Sequence, residues 1–572
     1  MKKIIFIFFL FLPILTSAQT ISDAFGVNLH LRNRFYESDW DAAITSAQAA
    51  GAQWGREEFS WDAIEPSDNS YNWTQYDSVV AKYNEKNIKV MGLLTYSAQW
   101  ASSNPGSYEY QYYQPDVEAW KDYVYQVALH YQGKVSAWEI WNEPNTTNFW
   151  KNSQEEYVTI FTEAAKQIRL ADPNATIVLG GISGADTNYL EGIYSNIENK
   201  DYFDVVAIHP YRQVDSNFNY SPEKSFDGLN TLTADLANVT CIMKKHGDTE
   251  KPLWLTEYGY TTYVSGVSEY DQASLLMRGY AIALNNPQVA KIFWYTFRDD
   301  STNTEYLESS FGLTNNDLTA KNSYDAFNFL KEKMSGQEYQ ASLLANKKVL
   351  DDFNKKSGWE FTGTENANGK ITEDYHNKLK VYYHFESESA NSFLPVSKKI
   401  KLPDNTKAIS FKSKGSNDTT YLRVRVIDRT GETFQYNLGY LPSEYTTYHL
   451  LLSNFNSSWN GNENGVLDYP VYFNSFVLDD NPDGSQAIGN VYFNDLTSSV
   501  KGNIFINQYE ENNTKNYLIW TTGSSGTANI YLADAKKIKV YSVGEEAKSV
   551  SGKKHYFKIT VATQPKWVQV TE

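Results

Sequence analysis

Between Gln19 and about Met334 the chain alternates short, nearly continuous apolar runs with longer segments whose apolar residues recur every three or four positions. A run apolar on successive residues suits a parallel strand covered on both faces, and the longer period suits an amphipathic helix. Eight runs stand out: AFGVNLH, AQWGREE, IKVMGLL, VSAWEIW, TIVLGG, VVAIHPY, PLWLTEY and KIFWYTF. Between them, Ser153 with Glu156 offers a capping box, after which Tyr157, Ile160, Phe161, Ala164 and Ile168 trace one stripe. Asp116 and Glu118 occupy the expected first turn of a helix carrying Trp120, Val124 and Val127. Eight such pairs predict a (β/α)8 barrel over residues 19–335. A doubly wound open sheet is the competing fold. It fits less well, because no glycine-rich phosphate turn follows the first run.

After a last barrel helix around Tyr324 to Leu330 the period drops to two. LKVYYHFES, KAISFKS, YLRVRVID and VYFNSFVLD, divided by Asn, Asp, Gly and Ser turns, predict antiparallel structure. We expect a β-sandwich at 349–499, and a smaller one at 500–572 that takes an additional strand from 336–348.

Residues 1–18 read as a cleaved leader: Lys2 and Lys3, the apolar run Ile4 to Leu15, then Thr16-Ser17-Ala18. That run is too short to span a bilayer, and no cysteine marks a lipid anchor, so we expect a secreted or periplasmic protein without membrane insertion. The single cysteine, Cys241, excludes an intramolecular disulfide and, on a helical stripe, is expected to be buried. A net charge of −17 argues against nucleic acid as a partner. Aromatic residues make up 15% of the chain, which suits stacking on sugar rings as well as packing.

In a barrel of this kind chemistry gathers at the carboxyl ends of the strands. That rule selects Glu143, in WNEPN after the fourth run, and Glu257, in LTEYG at the end of the seventh. Two carboxylates facing one pocket are the minimum for cleaving a glycosidic bond, one as acid and one as nucleophile or base. Glu139 lies inside its run and reads as a structural carboxylate. Gly259 would let the chain turn away after Glu257.

With these motifs the chain resembles the retaining glycoside hydrolases of clan A, whose mark is Asn-Glu-Pro after strand four and a second Glu after strand seven. "HPYR" and "FSWDAIEPSDNSYNW" are most similar to glycoside hydrolase family 39 and its endo-acting relatives, with family 5 next. The resemblance implies that Glu143 is the acid/base, Glu257 the nucleophile, and Asn142 the ligand of the sugar 2-hydroxyl. It implies that Arg56 steadies the nucleophile, that Tyr211 of His209-Pro210-Tyr211 contacts it, and that Trp294 floors the subsite of the cleaved sugar. His209 and Tyr211 could instead be packing residues. Trp141, Trp100 and Trp150 are candidates either for glycan stacking or for loop packing.

No His/Cys cluster has zinc spacing, and no cofactor or active-site metal is expected. Asp351, Asp352 and Asp495 resemble the bracket that holds a structural calcium in jelly-roll carbohydrate-binding modules. Asp479 to Gly484 reads as a polar turn. The expected activity is hydrolysis of a polysaccharide or oligosaccharide by double displacement, endo-acting, in a monomer. An exo-acting β-xylosidase-like enzyme and a non-catalytic glycan-binding barrel are the alternatives.

Overall fold

The computed structural model describes residues 20–572 apart from 216–217, 225–230, 356, 365, 375–377, 387–391, 417–419, 481–486 and 533–534. The expected leader at 1–18 and the Asn481–Gly484 part of the polar turn therefore lie outside the described residues.

All eight apolar runs form strands: β1 Phe25–Asn28, β2 Trp54–Ser60, β3 Lys89–Thr95, β4 Ala137–Asn142, β5 Thr176–Ser183, β6 Val206–His209, β7 Leu253–Tyr258 and β8 Val289–Trp294. They pair in parallel in chain order, and β8 pairs back onto β1, which closes the barrel. Alternate residues point inward. Trp54, Met91, Ala137, Val178, Ala207, Trp254 and Phe293 fill the barrel beneath its carboxyl-end face. Strand residues of the opposite phase, among them Phe25, Phe59, Val90 and Ile140, pack outward on the helices. The capping box at Ser153 starts helix Gln154–Ala171, and Asp116 caps helix Val117–His130. Cys241 is buried in helix Leu232–Lys245. Among the described residues no helix is long and apolar enough to cross a membrane.

Two β-sandwiches follow. In the larger, one sheet runs Ala367–Asp374, Lys378–Phe385, Ile488–Ser499, Ala408–Lys414 and Thr446–Leu451. The other runs Glu360–Phe361, Phe393–Lys401, Tyr472–Asp479, Tyr421–Ile427, Thr433–Tyr440 and Ser457–Trp459. Their inner faces meet over a core in which Phe476 stacks on Phe493 and packs edge-on against Phe411. In the smaller sandwich, strand Glu338–Leu344 leaves the last barrel helix and pairs antiparallel with Ile504–Glu511. Tyr509, Trp520 and Trp567 of this unit join the core of the barrel, and the Trp520 indole donates to the buried Glu223 carboxylate at 2.7 Å.

At the expected calcium bracket the aspartates are engaged by protein partners. One Asp351 oxygen accepts the Lys398 ammonium at 2.8 Å and the Trp359 indole, and the other accepts the Phe353 amide. Asp352 is turned to Asn354. A lysine already supplies the positive charge that calcium would bring, and Asp351 and Asp495 belong to no metal-ligating cluster among the described residues.

Candidate active site

A cleft of about 1000 Å³ opens at the carboxyl ends of the strands. Its floor is an ion-pair network centred on Arg56, which β2 aims inward and which is 1% exposed. The guanidinium donates from Nε to Glu139 at 2.6 Å and from Nη1 to Glu257 at 2.6 Å and Asn28 at 3.0 Å. Its Nη2 donates to Asn142 at 2.9 Å. Glu139 is thus a structural carboxylate, which also accepts the Thr256 hydroxyl and the Gly181 amide. Such a charge cluster persists out of water only because each member is paired.

Both candidate catalytic carboxylates sit where their strands depart from regular pleat. In β7 the register with β8 slips between Leu255 and Tyr258, so Thr256 and Glu257 both turn into the barrel. At the end of β4, Trp141 and, just beyond the strand, Glu143 have left-handed backbones, with φ of 70° and 43°. Such φ values are costly for non-glycine residues and cluster at functional sites. Gly180 accommodates this turn: a Cβ there would lie 2.4 Å from the Ile140 carbonyl oxygen. Gly181 leaves room for an imidazole, since its Cβ would lie 2.1 Å from His209 Nε2.

One oxygen of Glu143, one of Glu257 and a ring nitrogen of His209 lie within 4.8 Å of one another. His209 Nδ1 is 2.9 Å from Glu143 and 3.6 Å from Glu257. The Thr256 hydroxyl gives its proton to Glu139, so it accepts from His209 Nε2 at 3.1 Å. With Nε2 bearing a hydrogen, a further proton lies in the contact between Nδ1 and Glu143. Burial pushes the imidazole toward neutrality, but the charge of Glu257 and the hydrogen bond to Glu143 outweigh it and raise the His209 pKa. For Glu257, burial pushes upward, while His209, Arg56 and the Tyr211 hydroxyl at 2.8 Å prevail and hold it below its ordinary value. The two linkages oppose each other. Stability from His209 is present in acid and lost as pH rises through its raised pKa. Stability from Glu257 is present at neutral pH and lost as pH falls through its depressed one.

Glu143, His209 and Glu257 are also the one group of three metal-ligating side chains among the described residues. Both Glu257 oxygens are already engaged, by Arg56 and by Tyr211, and the guanidinium would repel a cation. The donor set does not suit a metal.

Arg56, Asn142, Glu143, His209, Tyr211 and Glu257 all line the cleft. The two tryptophans expected there are corrected. Trp294 is fully buried, donates its indole proton to the Phe311 carbonyl and packs edge-on against Tyr258. Tyr295, one residue on and in phase with the inward Phe293, lines the cleft instead. Trp141 is fully buried too, its indole donating to Phe149, because the left-handed turn carries the ring away from the barrel axis. Trp100 and Trp150 are tied to backbone carbonyls outside the cleft. Gly259 is not at positive φ; a Cβ there would lie 2.2 Å from the Tyr295 carbonyl oxygen, so close approach explains the glycine.

Several cleft residues escape the sequence reading: Arg34, Glu58, Asp62, Tyr96, Tyr110 and Glu308. Glu58 had a legible signal, since it alternates with Arg56 along β2. Arg34 and Glu308 had none; they meet through Tyr295, whose hydroxyl accepts from Arg34 and donates to Glu308.

A closed parallel barrel with paired carboxylates at the ends of its fourth and seventh strands defines a clan A glycoside hydrolase. The model of Glycosyl hydrolases family 39 matches residues 59–396, more than half of the chain, and the chain belongs to that family. It is similar to a β-xylosidase of Geobacillus stearothermophilus, 24% identical over 212 residues that are 34% of this chain and 42% of the relative. It is also similar to endo-1,4-β-xylanase D of Talaromyces funiculosus, 28% identical over 151 residues, 24% of this chain and 36% of that protein. The match thus spans well under half the length of either relative. A solved family 39 glycoside hydrolase from the gut symbiont Bacteroides cellulosilyticus WH2 shares the fold with a TM-score of 0.57 at 15% identity. That likeness covers 96% of this chain and 81% of the other.

Proposed function

We propose that this protein is an exported retaining β-glycosidase that cleaves polysaccharide chains internally. The observation that carries the reading is the spacing of Glu143 and Glu257, whose nearest oxygens fall within 4.8 Å. Carboxyl groups stand about 5–5.5 Å apart in retaining pairs and roughly 6.5–9.5 Å apart in inverting ones, and an oxygen–oxygen approach this close supports the shorter, retaining arrangement. Glu257, held ionised by Arg56, Tyr211 and His209, attacks the anomeric carbon. Glu143 gives its proton to the departing glycosidic oxygen, the bond from that oxygen to the anomeric carbon breaks, and a glycosyl ester forms on Glu257. Glu143, now a carboxylate, takes a proton from water as that water displaces Glu257, and the configuration is retained.

The endo reading rests on a cleft at the upper end of the size range for ligand sites, with room for more than one ring. An exo-acting β-xylosidase-like reading draws on the likeness to the Geobacillus enzyme. Export rests on residues 1–18 alone. Product analysis on a defined oligosaccharide separates the two modes: endo action gives a mixture of shorter chains, exo action only the terminal sugar. Proton NMR of the first product should show the β-anomer; first formation of the α-anomer would overturn the retaining assignment.

Replacing Glu143 by alanine is expected to depress kcat/KM by about 10²–10⁴-fold on substrates with poor leaving groups. Activated aryl glycosides, which need little protonation, should lose far less. A uniform loss across leaving groups would rule out the acid role.

Removing one donor from Glu257 should move its titration. With Tyr211→Phe, the acid limb of kcat/KM shifts to higher pH, because the carboxylate loses a hydrogen bond that favours its charged form. An unmoved limb would show that a different group controls it.

A further inference from the structure

The outer face of the second sheet of the larger sandwich carries a donor-rich cluster away from the cleft. Along strand Tyr421–Ile427, Leu422, Val424 and Val426 enter the core, so Tyr421, Arg423 and Arg425 face outward. Arg425 lies between two rings, its guanidinium carbon 5.5 Å from the Phe393 centroid and 5.2 Å from that of Trp459. Its Nε donates to Gln435 at 2.9 Å. Its Nη1 and Nη2 are open to solvent and make no hydrogen bond among the described residues. Among the described residues Arg425 forms no ion pair; the nearby Asp479 is paired with Arg423 and attracts Arg425 only at longer range. Asn437 accepts from both Arg423 and Gln435, which leaves its own amide hydrogens as donors on the same face.

Half-burial between rings is costly for a guanidinium, and burial together with repulsion by Arg423 outweighs the attraction of Asp479 and lowers the Arg425 pKa. The cluster offers planar donors and aromatic rings and, among the described residues, no unpaired carboxylate, in a chain whose net charge is −17. A two-pronged guanidinium matches a carboxylate, and flanking rings match sugar rings. The face also runs toward the catalytic side of the barrel. Tyr421 and Tyr440 stack at its near end, the Tyr440 hydroxyl is close enough to Thr187 to feel its side chain, and the Tyr440 amide donates to Asn238 of a barrel helix. Thr187 begins the helix after the loop whose Ser183 and Gly184 line the cleft.

We propose that Arg425, Trp459, Phe393, Gln435 and Asn437 form a binding site for a glycan chain bearing acidic groups, which holds the polymer beside the cleft. The proposal rests on the reading of this chain as a glycosidase for its choice of a glycan, and its test does not depend on turnover. The full chain carrying Glu257→Gln is run in native gels containing polygalacturonate or alginate as carboxylated chains, dextran sulfate as a sulfated chain, or arabinoxylan as a neutral one. Retardation is expected in the anionic gels, and comparison of the carboxylated with the sulfated arms identifies the acidic group. Adding Arg425→Gln should weaken retention about tenfold or more, the scale of one lost charge-assisted pair. Trp459→Ala serves as a second variant should Arg425→Gln lower the melting temperature. Retention only in arabinoxylan, none in any gel, or retention unchanged in both variants would overturn the proposal. Binding without hydrolysis of any glycan by the parent chain would instead sink the glycosidase reading and leave this site standing.

Discussion

Glu257→Ala should lower kcat by about 10⁴-fold or more, the scale seen when a nucleophile or its partner is removed from a unit that acts together. The reason is positional. Arg56 and Tyr211 fix both oxygens of this carboxylate, and the irregular register of β7 turns it into the cleft. Alanine leaves a space beside the anomeric carbon, and a small anion can fill it. Added azide should therefore restore turnover on activated substrates and yield a glycosyl azide of inverted configuration, since one displacement replaces two. Wild-type turnover in the variant would refute the nucleophile assignment, and so would rescue with retention. The fold should survive, because Arg56 keeps Glu139 as its buried counter-ion; an unchanged circular dichroism spectrum is the control.

The barrel was legible because its strands are buried on both faces and so write themselves as short apolar runs, whose length and regular alternation with amphipathic segments set them apart from helices. The two carboxylates were legible because barrel chemistry sits at strand ends. Side-chain direction was much less so. Regular alternation fails at Trp141, where φ turns positive, and at Thr256–Glu257, where the register slips, and neither irregularity has a local sequence mark. Trp294 is the opposite case: the pleat is intact, and counting from the inward Phe293 reaches Tyr295. The couplings among Glu139, Thr256, His209 and Glu143 join strands far apart in sequence and emerge only from closure of the barrel. Gly181 is intelligible only once the imidazole it admits is in place. The pairing of Asp351 with Lys398, on another strand, likewise has no mark in the sequence.

Arg56→Ala is the second large effect, and it should appear in stability as well as in rate. The guanidinium is the cation shared by Glu139 and Glu257, and all three side chains are largely shielded from water. Deleting it leaves Glu139 without a counter-charge and Glu257 with His209 alone, a loss of roughly 3–5 kcal/mol for breaking a buried pair. The barrel's own unfolding transition in urea, followed by tryptophan fluorescence, should therefore move to lower denaturant. The penalty should grow with pH across the range in which carboxylates ionise, because protonating one of the stranded pair relieves it. The same loss raises the Glu257 pKa, since a cause of its depression has gone, so the acid limb of any residual activity moves up as well. Arg56→Lys restores one charge but cannot span Glu139, Glu257 and Asn142 with a planar fork, so it should recover more stability than activity. If Arg56→Ala unfolded at the wild-type urea concentration at pH 7, the guanidinium would not be the counter-charge that holds this network together, and the network would have to be redrawn.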